Sequence, residues 1–381
     1  MTVGMLIEKR DQLAQAPLPW LQPKHTFTLR DAATLLGQLE NHTRYVRWAR
    51  IWMAPLYNAF RDLFLAAYGA MSRRWNSSPK LRAKYNAMHH GLPAALKFRL
   101  NGIIAQDKAS FLWRTNQRAT VSPGLRRSLH LLLKYLRSDQ APWTEYIGFI
   151  IRRDHHFRGW GDASGVAGGA YFPLLRLWFQ VIWDPATRAR ATASMKDPTR
   201  LQINCLEFVV VILQLAAVIT WMQEAPATDV EAVFPDGLPF LPILATGSDN
   251  QVSKGWATKG FTNSIEGQHL LMLYSDILRA HRIRQNVFFK PGKENVVPDD
   301  ISRPTNSTSD PILSSPPSLY LQISQKHPFL RTYTAFQPDR ILLQRITSAL
   351  YTTSALEPRE IPKKLGRLVP AGSTGSTFVM A

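Results

Sequence analysis

The sequence predicts an α/β domain preceded by a basic, mostly helical one. Three observations carry that prediction. Short runs with strand character begin at Arg158 and follow one another closely, as in an antiparallel meander. Two long apolar stretches with helical character then alternate with single strand-like runs, the pattern that lays helices on a sheet. Charge is also placed unevenly. Of a net +19, residues 1–157 hold 24 Lys and Arg against 9 Asp and Glu, residues 158–304 hold 14 of each, and residues 305–381 hold 8 against 4.

The first 157 residues read as helical. Thr28 and Asp31 fit a capping box in its Asp form, opening a helix with Leu35, Leu36 and Leu39 on one side. Residues 44–71 continue with apolar and aromatic content, with a break expected at Pro55. Ser122-Pro123 starts another helix, whose core stripe is Leu125, Leu129, Leu132 and Leu136. Arg126, Arg127, Lys134 and Arg137 lie off that stripe and are the expected nucleic-acid-binding residues. A domain this basic attracts polyanions, nucleic acid above all; the plain alternative is a set of solvated helix faces.

Cysteine and leader signals bound the compartment. Cys205 is the single cysteine, so no internal disulfide forms and a reducing compartment is expected. No Cys-x-x-Cys pattern exists, which argues against a zinc finger. The His pairs at 89–90 and 155–156 lack partners at ligand spacing and read as surface residues. The N-terminus has no apolar signal core, and the most apolar run, residues 208–222, is short for a membrane span. The expectation is an intracellular protein, cytoplasmic or nuclear, with that run as a buried core helix and no membrane partner.

From Arg158 the elements follow in order. Strands are expected at 158–164, 166–172 and 177–183, a polar loop through 196–200, and a long helix over 202–222. A proline-bearing loop at 223–242 leads to a strand at 242–248, a helix at 264–283 and a last strand at 285–289. Pro291-Gly292 turns the chain into a short helix carrying Asp299 and Asp300. Residues 305–381 read as a Ser/Pro/Thr-rich linker and a largely disordered tail, with one helix over 338–351.

Four acids fall at special points of this scheme. Asp162 ends the first strand, Glu207 opens an otherwise apolar helix, Asp249 ends a strand, and Asp299 starts a short helix. Glycines at 168 and 169 in the second strand mark a close approach to the backbone. Taken alone, Asp162 reads as a turn residue. Taken together, the four acids are separated by 45, 42 and 50 residues, so only a fold can unite them. Converging carboxylates repel and hold their protons unless divalent cations neutralise them. Hard, oxygen-preferring ions such as Mg²⁺ suit such a site.

These segments carry a resemblance. GDASGVAGGAYF, INCLEFVVVIL, SDNQVSKGW and PGKENVVPDDISR, in that order, resemble the motifs of the RNase H domain of a reverse transcriptase. The wording is most similar to DIRS-like (tyrosine-recombinase) retrotransposons. PKHTFTLRDAATLLGQL resembles the thumb/connection region after the polymerase palm in that group, which extends the resemblance to roughly residues 5–303. The resemblance implies an RNase H-like fold, a mixed five-stranded sheet flanked by helices, over residues 158–304. It implies Asp162, Glu207, Asp249 and Asp299 as the catalytic, metal-binding set for two Mg²⁺ ions, with Mn²⁺ as a substitute. Ser164 and Asn250 are the implied nucleic-acid contacts beside them. The implied substrate is an RNA–DNA hybrid, whose RNA strand is cut.

The departures are specific. Gly161 stands where relatives often carry Thr or Ser, Pro298 replaces an Ala, and Lys290 precedes the Pro-Gly turn in place of His or Tyr. No paired-Asp polymerase hairpin exists in this chain, so the palm and fingers are expected elsewhere in the same polyprotein. A catalytically decayed nucleic-acid-binding remnant is the alternative reading. A transposase or integrase is disfavoured, because there the helical Glu comes last. Register with the family motif makes Asp299, not Asp300, the fourth ligand, with Asn295 capping the helix and Asp300 facing solvent.

Overall fold

The computed structural model describes residues 2–4, 7–43, 53–77, 118–137, 144–146, 154–197, 199–260, 264–304, 316–351, 361–370 and 377–380, with a few isolated residues besides. The chain forms two compact units, Gly4–Thr144 and, with Met1–Val3, Glu145–Ala381.

The first unit is helical where expected. Helices span Ile7–Gln15, Leu29–Thr43, Ala54–Ser77 and Pro123–Arg137, and Thr26–Thr28 pairs antiparallel with Arg118–Thr120. The capping box forms: the Thr28 amide donates to Asp31 Oδ2 at 2.8 Å, and the Asp31 amide donates to Thr28 Oγ1 at 3.2 Å. Pro55 lies in the first turn of its helix, where its missing N–H costs nothing. Leu125, Leu129, Leu132 and Leu136 are buried as one stripe. Of the basic residues off that stripe, Arg137 is exposed, while Arg126 is half-buried and donates to the Leu21 carbonyl at 3.2 Å. The side chains of Arg127 and Lys134 lie outside the described residues, as do His89 and His90.

The second unit is α/β around a mixed sheet. Its strands are β1 (Phe157–Ala163), β2 (Ala167–Phe172), β3 (Leu177–Ile182), β4 (Ile243–Ser248), β5 (Arg284–Phe289), β6 (Thr334–Pro338), β7 (Gly366–Pro370) and β8 (Thr377–Val379). Its helices are α1 (Pro185–Thr192), α2 (Ile203–Glu224), α3 (Ala227–Val233), α4 (Gln251–Lys259), α5 (Ile265–Ala280), α6 (Val296–Ser302), α7 (Pro316–Lys326) and α8 (Arg340–Tyr351). Strands β1, β2 and β3 form the expected antiparallel meander, and β4 and β5 join β1 in parallel. The order at the centre is therefore β3-β2-β1-β4-β5.

Helix α2 is the core of this unit. Every residue from Cys205 to Trp221 is buried, as a helix apolar all round must be. Among the described residues it is the one helix long and apolar enough to cross a membrane, and it is enclosed by the fold. Besides α7, three short helices occur where no helix is predicted. Asp184 caps α1 by accepting the Thr187 amide at 2.9 Å, with Pro185 at its first position; α3 interrupts the proline-bearing loop, and Asn250 caps α4. The His155–His156 pair is not merely superficial. Both are half-buried; His156 Nδ1 accepts the Ile243 amide at 3.0 Å, and His155 Nε2 lies 3.1 Å from Asn286 Nδ2.

One expectation is extended and one corrected. The five strands expected over residues 158–304 form, and among the described residues the sheet has three more. Within residues 305–381 the described stretches 316–351, 361–370 and 377–380 are built into the fold, where a linker and a largely disordered tail are expected. Within that span β6 and β8 both pair in parallel with β3, one along each half, and β7 pairs antiparallel with β6. The physical reason lies in β3 itself. All six of its residues are buried, and an open apolar edge would present unpaired backbone groups beside bare hydrophobic faces. The Ser/Pro/Thr composition that suggests a linker holds for residues 304–315, mostly outside the described residues; the aromatic and aliphatic content beyond them builds a core. Trp178, Ile301, Ile323, Leu330 and Ala335 form one buried cluster joining β3, α6, α7 and β6. Pro338 ends β6, and α8 starts at Arg340, with Asp339 accepting the Ile341 amide at 2.7 Å.

The glycines of β2 set how closely helices approach. A Cβ at Gly168 would stand 2.6 Å from Val210 Cγ2 of α2. On the other face, a Cβ at Gly169 would overlap Ile301 Cγ2 of α6 and stand 2.8 Å from the Phe179 carbonyl oxygen. Gly169→Ala is therefore expected to destabilise the protein by about 1–3 kcal/mol through overpacking. Denaturant unfolding measures it; unchanged stability would show that α6 can lift from the sheet without penalty.

Candidate metal centre

The acids meet at one end of the sheet because β1 and β4 are parallel neighbours. Their ladder pairs Trp160 with Gly247 at its last step. Two residues further on stand Asp162 and Asp249, side by side at the carboxyl ends of the two strands, where open α/β sheets place their sites. Glu207, in the second turn of α2, reaches the same point. Its Oε1 accepts the Ala163 amide at 3.2 Å, and its Oε2 accepts the Ser248 hydroxyl at 3.3 Å. Carboxylate oxygens of Asp162, Glu207 and Asp249 all lie within 4.8 Å of one another.

Asp162 and Glu207 are 2% and 3% exposed, so their charge meets little water. Burial, before any other cause, pushes the Asp162 carboxyl up to about 6; the charges of Asp249 and Asp299 add to that, while the Ser302 hydrogen bond and Arg303 oppose it. Glu207 is pushed well above the carboxylate range, first by burial and then by Asp162 and Asp249. The set fits a hard divalent cation, whose charge would replace these protons. Asp162, Glu207 and Asp249 are the residues able to hold one.

Asp299 stands next to the cluster rather than within it. Its charge reaches Asp162, but its carboxylate makes a two-point pair with Arg303, at 2.8 and 3.1 Å. Asp300 does not face solvent as expected. It is bonded to Lys326 and, at 2.8 Å, to His327 Nε2, both supplied by the segment that follows α6. A charged partner compensates its half-buried position.

Helix α6 is tied to the sheet by hydrogen bonds as well as by Ile301. Ser302 Oγ donates to Asp162 Oδ2 at 2.5 Å. Gln180 Nε2 donates to the Ile301 carbonyl at 2.7 Å, and Ser164 Oγ to the Ser302 carbonyl at 2.6 Å. Asn295 occupies the N-cap position but its side chain does not cap; it is buried, and Nδ2 donates to the Gly161 carbonyl at 3.1 Å. Asn295 thus links β1 to the helix instead of closing it.

Ser164 and Asn250 have internal work. The Ser164 hydroxyl also accepts the Val166 and Ala167 amides at 3.1 Å, which closes the β1–β2 turn. Asn250 Oδ1 accepts the Val252 and Ser253 amides, and its Nδ2 donates to Asn204 Oδ1 at 2.8 Å. Sequence reasoning missed Ser302 and Ser248 as supports of the carboxylates, and Gln180 as a support of α6. Gln180 had a legible signal, an amide inside the apolar run LWFQVI; the two serines had none beyond their place in the quoted segments.

No protein-family model matches the chain, and no curated protein or solved structure matches it either.

The raised carboxyls make stability pH-dependent. A folded-state pKa above the unfolded value means that the fold holds a proton the unfolded chain has released. The Asp162 contribution is therefore complete below about pH 4 and is lost as pH rises through about 6. Asp162→Asn, which cannot ionise, should be more stable than the parent at pH 7.5 in EDTA, by up to about 3 kcal/mol. The difference should shrink by pH 5. Thermal melts across that range check it, and a variant less stable at pH 7.5 than at pH 5, relative to the parent, would contradict the electrostatic account.

Proposed function

We propose that the second unit is a divalent-metal-dependent endoribonuclease of the RNase H type, acting on the RNA strand of RNA–DNA hybrids. The observation that carries this reading is the convergence of Asp162, Glu207 and Asp249 from positions 45 and 42 residues apart. Two further features support it. The central strand order runs β3-β2-β1-β4-β5 with Asp162 and Asp249 at the ends of its parallel pair, and the first three of the four segments that resemble RNase H motifs supply Asp162, Glu207 and Asp249 in the same chain order. On this reading the protein is a C-terminal part of a DIRS-like reverse transcriptase polyprotein, and the polymerase palm and fingers are its partners.

Divalent cations, two Mg²⁺ or in their place Mn²⁺, supply when bound the charge that activates water and stabilises the leaving oxygen in phosphodiester cleavage. The chain's own residues do the rest. Ala163 and Ser248 hold Glu207 by both oxygens, and Ser302 holds Asp162 by one, leaving the other Asp162 oxygen for a ligand. Arg303 keeps Asp299 compensated while no cation shares its charge. Joining the set requires Asp299 to exchange Arg303 for the cation. That same ion pair favours the second reading, a catalytically decayed remnant that binds nucleic acid through the basic first unit.

Incubation of the purified chain with labelled hybrid and Mg²⁺ separates the two. The nuclease reading expects cleavage of the RNA strand leaving 3′-hydroxyl and 5′-phosphate ends. Asp162→Asn and Asp299→Asn should each lose roughly 10²-fold or more, as loss of a group that stabilises developing charge does, while Asp300→Asn keeps most activity. No cleavage by a folded, hybrid-binding chain would favour the remnant, and equal cleavage by parent and Asp162→Asn would assign the activity to something else.

A further inference from the structure

The sheet face that carries Asp162 also carries an aromatic row. Cross-strand register aligns Trp178 of β3, Tyr171 of β2, Trp160 of β1, Gly247 of β4 and Phe288 of β5. Directly paired residues project to the same face. The gap at Gly247 is filled from both sides: a Cβ there would stand 2.7 Å from Trp160 Cδ1 and 3.1 Å from the Phe288 ring. Trp160 and Tyr171 have ring centroids 5.5 Å apart, and Phe329 continues the row 6.2 Å from Tyr171.

The two ends of the row differ. At β3 it is closed, since Trp178 is fully buried beside Tyr320. From Tyr171 to Phe288 it is open: Tyr171, Trp160 and Phe288 are half-buried, and Phe329 is 39% exposed. Lys290 Nζ sits 5.1 Å from the Trp160 ring centroid, with Glu294 as the acid whose charge reaches it. Lys293, Arg176 and Arg331 are exposed on the neighbouring segments.

We propose that the Phe288–Trp160–Tyr171–Phe329 row is a stacking platform for single-stranded nucleic acid. Open rings in line, with a cation over one of them, offer π-faces to bases and a charge to the phosphate between them. Charge complementarity favours a polyanion over an apolar protein segment, since Lys290 and the exposed Arg176, Lys293 and Arg331 border the row. A duplex keeps its base faces stacked, so the platform takes an unpaired strand. Trp160 lies two residues before Asp162 on the same strand and face, so a strand on the platform passes directly beside the carboxylates. This last role rests on the nuclease reading; the binding itself does not.

The test uses the intact chain in EDTA, where metal-dependent cleavage cannot occur. A short fluorescein-labelled oligothymidylate is titrated by anisotropy at several salt concentrations, with circular dichroism and melting to verify folding. Phe329→Ala, an exposed position, and Trp160→Leu should each weaken binding roughly tenfold without changing the salt slope, because neither removes a charge. Lys290→Gln should make the slope shallower by about one phosphate contact. Photo-crosslinking with iodouracil-containing strand should mark peptides that hold residues 160, 171, 288 or 329. Parent affinity in the folded Phe329→Ala and Trp160→Leu variants, or crosslinks confined to other peptides, would overturn the proposal. Hybrid cleavage that fails while this binding persists would count against the nuclease reading alone.

Discussion

Burying like charges together is the constraint on which this structure turns. Asp162 and Glu207 are almost out of water and within reach of Asp249. Neither burial nor repulsion favours that arrangement when the groups are ionised. The fold holds it in place with directed hydrogen bonds, from the Ala163 amide, the Ser248 hydroxyl and the Ser302 hydroxyl. Each lowers the cost of a carboxylate without removing it, and the remaining cost appears as raised proton affinity. A site in that condition is poised for a cation, which supplies by charge what protons otherwise supply.

The same constraint explains the attention given to α6. A seven-residue helix has little stability of its own. Here it is set by Ile301 against Gly169, by side-chain bonds from Gln180 and Ser164 to its last carbonyls, and by Asn295 to β1. The segment beyond it completes the mounting, with Lys326 and His327 on Asp300 and with Ile323 and Leu330 in the shared cluster. Residues after 315 are thus part of what positions Asp299 next to Asp162. Their strands also close the edge of β3, so edge protection and site support come from one stretch of chain.

Much of this was legible in the amino-acid order. The closely spaced strand runs from 158 onward, the apolar run that became α2, the capping box at Thr28 and the leucine stripe at 125–136 all rest on local rules, and all appear in the fold. The glycines at 168 and 169 announced close packing without saying of what. Glu207 stood out as an acid on an otherwise apolar helix, whereas Asp162 alone reads as a turn residue, and the four acids became legible only as an ordered set.

What the sequence by itself determined, then, is the identity of local elements and of the chemical groups on them, because periodicity and capping act over a few residues. Tertiary structure decided which groups meet. The parallel register of β1 and β4 brings Asp162 beside Asp249, an event separated by 87 residues of chain that no local pattern encodes. It also decided that Asp299 faces Arg303, that Asp300 is bonded to Lys326 and His327, and that Asn295 reaches β1 instead of capping its helix. Composition misjudged the tail for the same reason. The strands that residues 334–338 and 377–379 add depend on an open, wholly apolar edge at β3, and that edge exists only once the sheet has formed.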